Sequence, residues 1–232
     1  MANITNAIFR SFNEFLSDKN LEGKSNPRLH YPGNKPGKSG ATIARGFDIG
    51  QHSEAQLKGM GFTPALLKKL MPYAGKTGKE AWDLVKTTKD SLVLTSDEYW
   101  QVLSIPVISK LDTLASKFNK VSKIGDFEDL HPGLRNMIGS VYYQMGTSSP
   151  ETETPDFWRQ ITTGDWGGMV KNMQNFRMTK KIKDKKGNIS EVHWPEGDDR
   201  RRRELTKALS SGWNITVQAV MDSAAVDTFL NR

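Results

Sequence analysis

The stretch LEGKSNPRLHYPGNKPGKSGATIARGFDIGQ, residues 21–51, is expected to decide the fold of this 232-residue chain. Before it, apolar residues recur at helical spacing and predict a helix over about residues 4–18. Residues 23–40 hold three Pro and four Gly, which favours an irregular excursion. Two short β-like segments follow at residues 41–45 and 47–50 and predict a hairpin or a small sheet.

Three side chains of this stretch have the chemistry for cutting a glycosidic bond, which needs a proton donor and a second group on the other face of the sugar. Glu22 is the only carboxylate between Asp18 and Asp48, which makes it the natural donor. Thr42 lies six residues before Asp48, an even spacing, so both lie on one face if the strands stay in phase, and together they would hold a water. The alternative is structural, because a Glu after a helix is usually exposed and an Asp beside a Gly usually serves a turn.

Beyond residue 52 the pattern is mainly helical. Capping-box signatures begin at Ser53 and Thr95, and Pro106 is expected to kink or break the long helix that Thr95 opens. A Lys-rich segment over residues 180–194 interrupts this rhythm and predicts a basic hairpin. Asp198 or Asp199 is expected to cap the first of two final helices.

The composition limits the classes of function. The charged and apolar fractions are those of a soluble globular protein, and no apolar run of about 18 residues predicts a membrane helix. Cys is absent and the four His lack ligand spacing, so we expect neither a disulfide framework nor a metal site. The net charge of +7 favours polyanionic partners such as nucleic acid, anionic lipid or an acidic cell wall, although solubility alone would also account for it.

The motifs LEG, RLHYP and SGATIARGFDIGQ of the opening stretch resemble the active-site segment of pesticin-like muramidases, a branch of the phage T4-type lysozyme superfamily. In that group a Glu after the first helix is followed by a Ser-Gly-x-Thr-Ile…Gly-Phe-Asp-x-Gly-Gln block. The resemblance implies that Glu22 is the general acid and that Asp48 with Thr42 positions the water. Ala44-Arg45 departs from the smaller residues common there, and we expect Arg45 to alter the rim of the cleft.

The resemblance continues more loosely into the second half of the chain. VYYQMG, residues 141–146, resembles the helix end that lines the saccharide cleft, and RRRREL, residues 200–205, resembles a basic helix opening from which an Arg approaches the catalytic Glu. We therefore expect Arg201 or Arg202 to bind at the cleft and to pair with Glu22, whereas a solvated helix face is the alternative. Tyr31 and Gln144 are candidates for hydrogen bonds to sugar, with surface or capping roles as the alternative.

The predicted fold is mainly α (α+β) and lysozyme-like, with two lobes, a cleft between them and a small β element near residues 41–50. We expect one catalytic domain over residues 1–232, made of a catalytic segment over about 1–52 and a helical body over about 53–232 with a hairpin inserted at about 180–194. The resemblance implies a monomer that needs no cofactor, does not insert into membranes, does not bind nucleic acid and acts on peptidoglycan.

The implied reaction is the lysozyme reaction, hydrolysis of the β-1,4 bond between N-acetylmuramic acid and N-acetylglucosamine. Because the N-terminus lacks the pattern of a signal peptide, we expect a phage endolysin that is made in the cytoplasm and reaches peptidoglycan in the periplasm or cell wall after release by another protein. The alternatives are a bacteriocin or secretion-system effector with the same activity and, from another class, a non-catalytic basic binder of cell wall or nucleic acid.

Overall fold

The computed structural model describes residues 4–18, 21, 26–88, 92–144, 150–175, 179–183, 189–193 and 195–213. The chain divides into two compact units. One comprises Met1–Leu21 and Leu111–Arg232, and the other comprises Glu22–Lys110.

The smaller unit contains a three-stranded antiparallel sheet. Its strands are β1 (Asn26–His30), β2 (Thr42–Ala44) and β3 (Phe47–Asp48), hydrogen-bonded in that order. The two strands expected after residue 40 are confirmed. The expectation of an irregular segment over residues 23–40 is wrong for β1. Its Pro27 gave no strand signal, but a proline is tolerated there because β1 lies at the edge of the sheet.

Helices complete the smaller unit: α2 (Glu54–Gly59), α3 (Pro64–Leu70), α4 (Gly78–Thr88) and the first part of α5 (Ser96–Val121). Both capping boxes are confirmed, since Ser53 exchanges two hydrogen bonds with Gln56 and Thr95 exchanges two with Glu98. Of the kink or break expected at Pro106, the break is wrong, because α5 continues through this residue, and the kink stays a prediction. Burial of the neighbouring Leu103 and Val107 offsets the cost of a proline inside a helix, about 3 kcal/mol.

The larger unit contains α1 (Asn6–Leu16), the end of α5, α6 (Pro132–Gln144), α7 (Pro150–Glu153), α8 (Pro155–Thr163), α9 (Trp166–Gln174), a hairpin of β4 (Thr179–Lys183) with β5 (Ile189–His193), and α10 (Pro195–Ser210). The hairpin confirms the sequence prediction, with Thr179 opposite His193 in a regular antiparallel register. The expected cap at Asp198 or Asp199 is wrong, because α10 begins at Pro195, a residue well suited to the first helical position.

Helix α6 is the centre of the larger unit, and every residue from Gly133 to Tyr142 is buried. It packs against α1 and α10. Two glycines permit this approach: a Cβ at Gly139 would lie 2.9 Å from the ring of Phe12, and one at Gly133 would lie 2.7 Å from the carbonyl oxygen of Ala208. Larger residues at these two positions would force the helices apart.

The chain is thus mainly α with a small antiparallel sheet, as predicted. Within the described ranges, none of the helices combines the length and the apolar character that crossing a lipid bilayer requires.

Candidate active site

Thr42 and Asp48 are brought together by the β2–β3 pairing. Their Cα atoms are direct partners in the register, as are those of Ile43 and Phe47. Thr42 is buried and Asp48 is half-buried. Directly opposed residues of an antiparallel pair project to the same face of the sheet, so the even spacing seen in the sequence does place the hydroxyl and the carboxylate together.

Backbone N–H groups fix the orientation of the Asp48 carboxylate. The Gly40 N–H donates to both oxygens, at 3.0 Å to Oδ1 and 2.9 Å to Oδ2, and the Gly50 N–H donates to Oδ1 at 3.1 Å. Asp48 also caps the one-turn 3₁₀ helix Ile49–Gln51. The structural role in a turn that the sequence offered as the alternative is therefore confirmed. An ionised carboxylate offers about four acceptor positions, which leaves Oδ2 able to accept a further donor such as a water.

Two glycines allow the backbone to approach this carboxylate closely. A Cβ added at Gly40 would lie 2.5 Å from the Gly50 Cα and would collide with the Asp48 carboxylate. A Cβ at Gly50 would collide with the carbonyl oxygen of Lys76 and lie 2.7 Å from the Gly40 Cα. The chain therefore crosses itself at two residues without side chains, and this crossing brings the amide donors within reach of Asp48.

The Thr42 hydroxyl has a defined hydrogen bond. It donates to the carbonyl oxygen of Gly40 at 3.3 Å. A hydroxyl has one proton and two acceptor lone pairs, so its oxygen remains able to accept a hydrogen bond. Gly40 thus contacts both functional side chains, through its N–H to Asp48 and through its carbonyl to Thr42.

Phe47 and His52, which stand on either side of Asp48 in the chain, pack against each other. Their rings stack with centroids 5.1 Å apart and planes 17° from parallel. Burial lowers the pKa of His52 below its ordinary value, although the nearby Asp48 carboxylate opposes that effect and Lys110 adds to it. The net lowering of its pKa favours the neutral form of His52.

Glu22, the predicted general acid, lies outside the described residues. Leu21, the residue that precedes it, is described. Its carbonyl oxygen accepts a hydrogen bond from Nη1 of Arg200 at 3.3 Å.

Tyr31 and Arg45 lie inside the smaller unit. The hydroxyl of Tyr31 accepts a hydrogen bond from the Gly37 N–H at 2.7 Å, and its ring packs edge-on against Trp82. This bond leaves the phenolic proton available, so a contact with sugar stays a prediction. Arg45 is buried rather than exposed at a rim, and it follows Ala44, which adopts a left-handed φ of 55°.

The remaining predicted ligands lie in the larger unit. Gln144 is exposed at the end of α6. Arg201 is almost fully buried, and its Nη1 binds Glu204 Oε2 at 2.5 Å. Arg202 is exposed, and its guanidinium binds Asp199 and the carbonyl oxygen of Gln174. Of the two arginines, Arg201 is therefore the one that points inward, and contact of either with substrate stays a prediction.

Sequence reasoning missed the glycines and Glu204. The glycines are part of the quoted SGATIARGFDIGQ motif, but a motif does not reveal which residue receives their N–H groups. Glu204 looked like one charge of a solvated helix, although it is 0% exposed. Its signal was its position beside Leu205, at helical spacing from the apolar Ala208.

Among the described side chains, no group of three or more His, Cys, Asp or Glu lies close enough together to hold a metal ion. On one face of the short sheet, the smaller unit places a hydroxyl, that of Thr42, and an oriented carboxylate, that of Asp48.

The chain matches a known protein family. The family model described as "Pesticin: Bacterial toxin homologue of phage lysozyme, C-term" matches residues 13–167. The matched range includes Glu22, Thr42 and Asp48 and covers more than half of the chain. No curated protein matches the chain.

Proposed function

The chain belongs to the pesticin family of phage-lysozyme homologues, and from this premise we propose that it is a muramidase that hydrolyses the β-1,4 bond between N-acetylmuramic acid and N-acetylglucosamine. The family supports a glycoside hydrolase that acts on peptidoglycan. The observation that carries the finer assignment is the direct pairing of Thr42 with Asp48, whose carboxylate three backbone hydrogen bonds hold in place.

In the proposed reaction, Glu22 donates its proton to the oxygen of the leaving sugar as the glycosidic bond breaks. A water attacks the anomeric carbon, and its proton passes to Asp48. The fixed orientation of the carboxylate presents Oδ2 to that water, and the Thr42 oxygen accepts the water's second O–H. Such pre-orientation lowers the entropic cost of reaching the transition state.

The decisive experiment is a mass spectrum of purified peptidoglycan digested with the protein. Reducing muramic acid ends are expected from wild type, whereas anhydro ends would indicate a lytic transglycosylase and contradict hydrolysis. Glu22→Gln keeps the shape of the side chain but has no proton to give, so activity should fall by about 10²–10⁴-fold. Residual activity above about a tenth of wild type would remove Glu22 from the role of general acid.

Glu54→Gln is the matched control for this experiment. Glu54 belongs to the same unit, is exposed on α2 and lies 3.7 Å from Lys58 in a surface ion pair. Surface pairs of this kind contribute little to stability, about 0–1 kcal/mol. The control should therefore digest peptidoglycan as wild type does, which separates the loss of an acid from the loss of any surface carboxylate.

For the biological role we propose a phage endolysin that another protein releases to the periplasm or cell wall. The alternative is a bacterial toxin, which the family description favours. An endolysin should lyse Gram-negative cells only after their membranes are permeabilised, whereas killing of intact cells by added protein would indicate the toxin.

A further inference from the structure

Glu204 is the centre of a buried polar cluster between α6 and α10. Its side chain is 0% exposed. Oε1 accepts hydrogen bonds from Ser140 Oγ at 2.5 Å and from Arg200 Nε at 3.1 Å, and Oε2 accepts one from Arg201 Nη1 at 2.5 Å. Donors on α6 and on two adjacent residues of α10 therefore hold one carboxylate in a single orientation.

The cluster extends through Arg200 to the chain segment after α1. While Nε of Arg200 binds Glu204, Nη1 donates to the carbonyl oxygen of Leu21 at 3.3 Å, and Nη2 lies 3.4 Å from Ser140 Oγ. A guanidinium is planar and rigid, so binding at Nε sets the direction of Nη1. The orientation of Glu204 thereby determines where Arg200 meets the Leu21 peptide.

A second contact ties the same segment to α10. Nζ of Lys207 binds Asp18 Oδ2 at 3.1 Å and lies 5.4 Å from the centre of the Phe15 ring. Arg200, Glu204 and Lys207 are spaced by four and three residues and so share one face of the helix. This face holds the chain at two points within the last few residues before Glu22.

Stability alone is a poor explanation for this cluster. Removing charged groups from water is expensive, and well-packed apolar residues in place of a buried ion pair are often equally stable or more stable. Geometry is what the cluster provides: a hydrogen bond to the peptide carbonyl that immediately precedes the proposed general acid.

We propose that Glu204 is a positioning residue of the active site. Supported by Ser140, it orients Arg200, and Arg200 binds the carbonyl of Leu21, the residue that precedes Glu22 in the chain. The inference rests on the proposed function, because it assigns Glu204 a task only if Glu22 is the acid. Glu204 acts through Arg200 and the backbone and does not contact substrate.

The test compares Glu204→Gln, Ser140→Ala and Arg200→Lys in steady-state hydrolysis of soluble peptidoglycan fragments. Lys keeps the positive charge of Arg200 but lacks the fork that reaches Glu204 and Leu21 together. Misplacement of a catalytic group by about 1 Å costs about 100-fold in rate. We therefore expect kcat to fall by about 10–100-fold in Glu204→Gln and Arg200→Lys, by a smaller factor in Ser140→Ala, and KM to stay within about twofold of wild type.

Arg203→Lys is the control, because Arg203 is the exposed neighbour on the same helix and its replacement should leave kcat and KM unchanged. Thermal unfolding of each variant identifies the temperatures at which it is folded. If Glu204→Gln does not fold, the kcat and KM values of Arg200→Lys and Ser140→Ala test the proposal.

A lower Tm with an unchanged kcat at temperatures where the variants are folded would overturn the proposal, since the cluster would then be only structural. A raised KM with an unchanged kcat would also overturn it and would make Arg200 a substrate ligand. Failure of wild type to release reducing ends would instead overturn the proposed function, and it is recognised before any variant is compared.

Discussion

Thr42 and Asp48 are direct partners across β2 and β3, and Gly40 binds both of them, with its N–H on the carboxylate and its carbonyl oxygen on the hydroxyl. The water-holding pair of the proposed reaction is thus organised by one residue that has no side chain. The two groups nevertheless contribute differently, because Asp48 supplies a charge and a proton acceptor, whereas Thr42 supplies one neutral oxygen.

Asp48→Asn is expected to lower the rate of peptidoglycan hydrolysis nearly as much as Glu22→Gln, by about 10²–10⁴-fold. The amide keeps the size of the side chain but cannot take a proton from water. Thr42→Ala should be less damaging, because water partly fills the space of the lost hydroxyl. The measurement is the release of reducing ends by each variant, and a dead Thr42→Ala with an active Asp48→Asn would reverse the assigned roles.

Gly40→Ala should damage both the site and the stability of the fold. The new Cβ would lie 2.5 Å from the Gly50 Cα and collide with the Asp48 carboxylate. Overpacking of this kind costs about 1–3 kcal/mol, and displacement of Asp48 should reduce kcat by about 10–100-fold. Urea unfolding and steady-state kinetics measure the two effects.

The control for that variant is Gly59→Ala at the end of α2. A Cβ there meets no atom within 4 Å, and Ala favours helix over Gly by about 1 kcal/mol. Stability should therefore stay the same or rise, and kcat should not change. Equal activity of the two Ala variants would mean that the close approach of Gly40 and Gly50 does not position Asp48.

The contribution of Glu98 to stability should depend on pH. Its carboxylate accepts hydrogen bonds from Lys69 Nζ at 2.6 Å and from the Thr95 N–H, and these bonds lower the pKa of Glu98 below its ordinary value. Because the folded-state pKa is lower than the unfolded one, the stabilisation is complete above the ordinary glutamate pKa, about 4.3. It is lost as pH falls through the lowered value.

Glu98→Gln should therefore lower the free energy of unfolding at pH 7 by about 2 kcal/mol, the range for a hydrogen bond to a charged group. The difference from wild type should shrink progressively below about pH 4. Urea titrations at pH 7 and at lower pH values measure it, with Glu80→Gln as the control, because Glu80 is exposed in a surface pair with Lys76. A difference that does not change with pH would show that Glu98 stabilises the fold without its charge.

The β4–β5 hairpin is expected to contribute to electrostatic attraction toward an anionic cell wall. The sequence places five lysines there, at 180, 181, 183, 185 and 186. Salt screens such attraction, since the Debye length falls from about 10 Å at 0.1 M to about 3 Å at 1 M. Lysis of permeabilised cells should weaken as salt rises, while cleavage of a short neutral oligosaccharide should change little.

Replacing the five lysines with Gln should flatten the salt dependence on cells and spare activity on the small substrate. Both substrates are assayed over the same salt series with wild type and variant. An equal loss on both would mean that the hairpin shapes the active site and is not a peripheral anchor.

The sequence by itself determined the features that depend on residues close together in the chain. The capping boxes at Ser53 and Thr95 are made of side chains three residues apart, so the pattern alone predicts where these helices begin. The hairpin at residues 180–194 is also formed by residues close together in the chain, so the sequence pattern alone predicts it. The even spacing of Thr42 and Asp48 predicts that they share one face if the strands stay in phase, and the observed register makes them direct partners.

Only the tertiary structure decided the features that depend on distant partners. β1 contains a proline and gives no strand signal, and its pairing with β2 makes it a strand. α5 continues through Pro106 because buried neighbours offset a local cost that favours a break. Glu204 lies in a run of charges, and it is buried because α10 packs against α6, where Ser140, 64 residues away in sequence, donates to it. Local propensities amount to at most about 1 kcal/mol per ordinary residue. Where local propensity and long-range packing or buried hydrogen bonds favour different structures, the long-range interactions therefore decide which one forms.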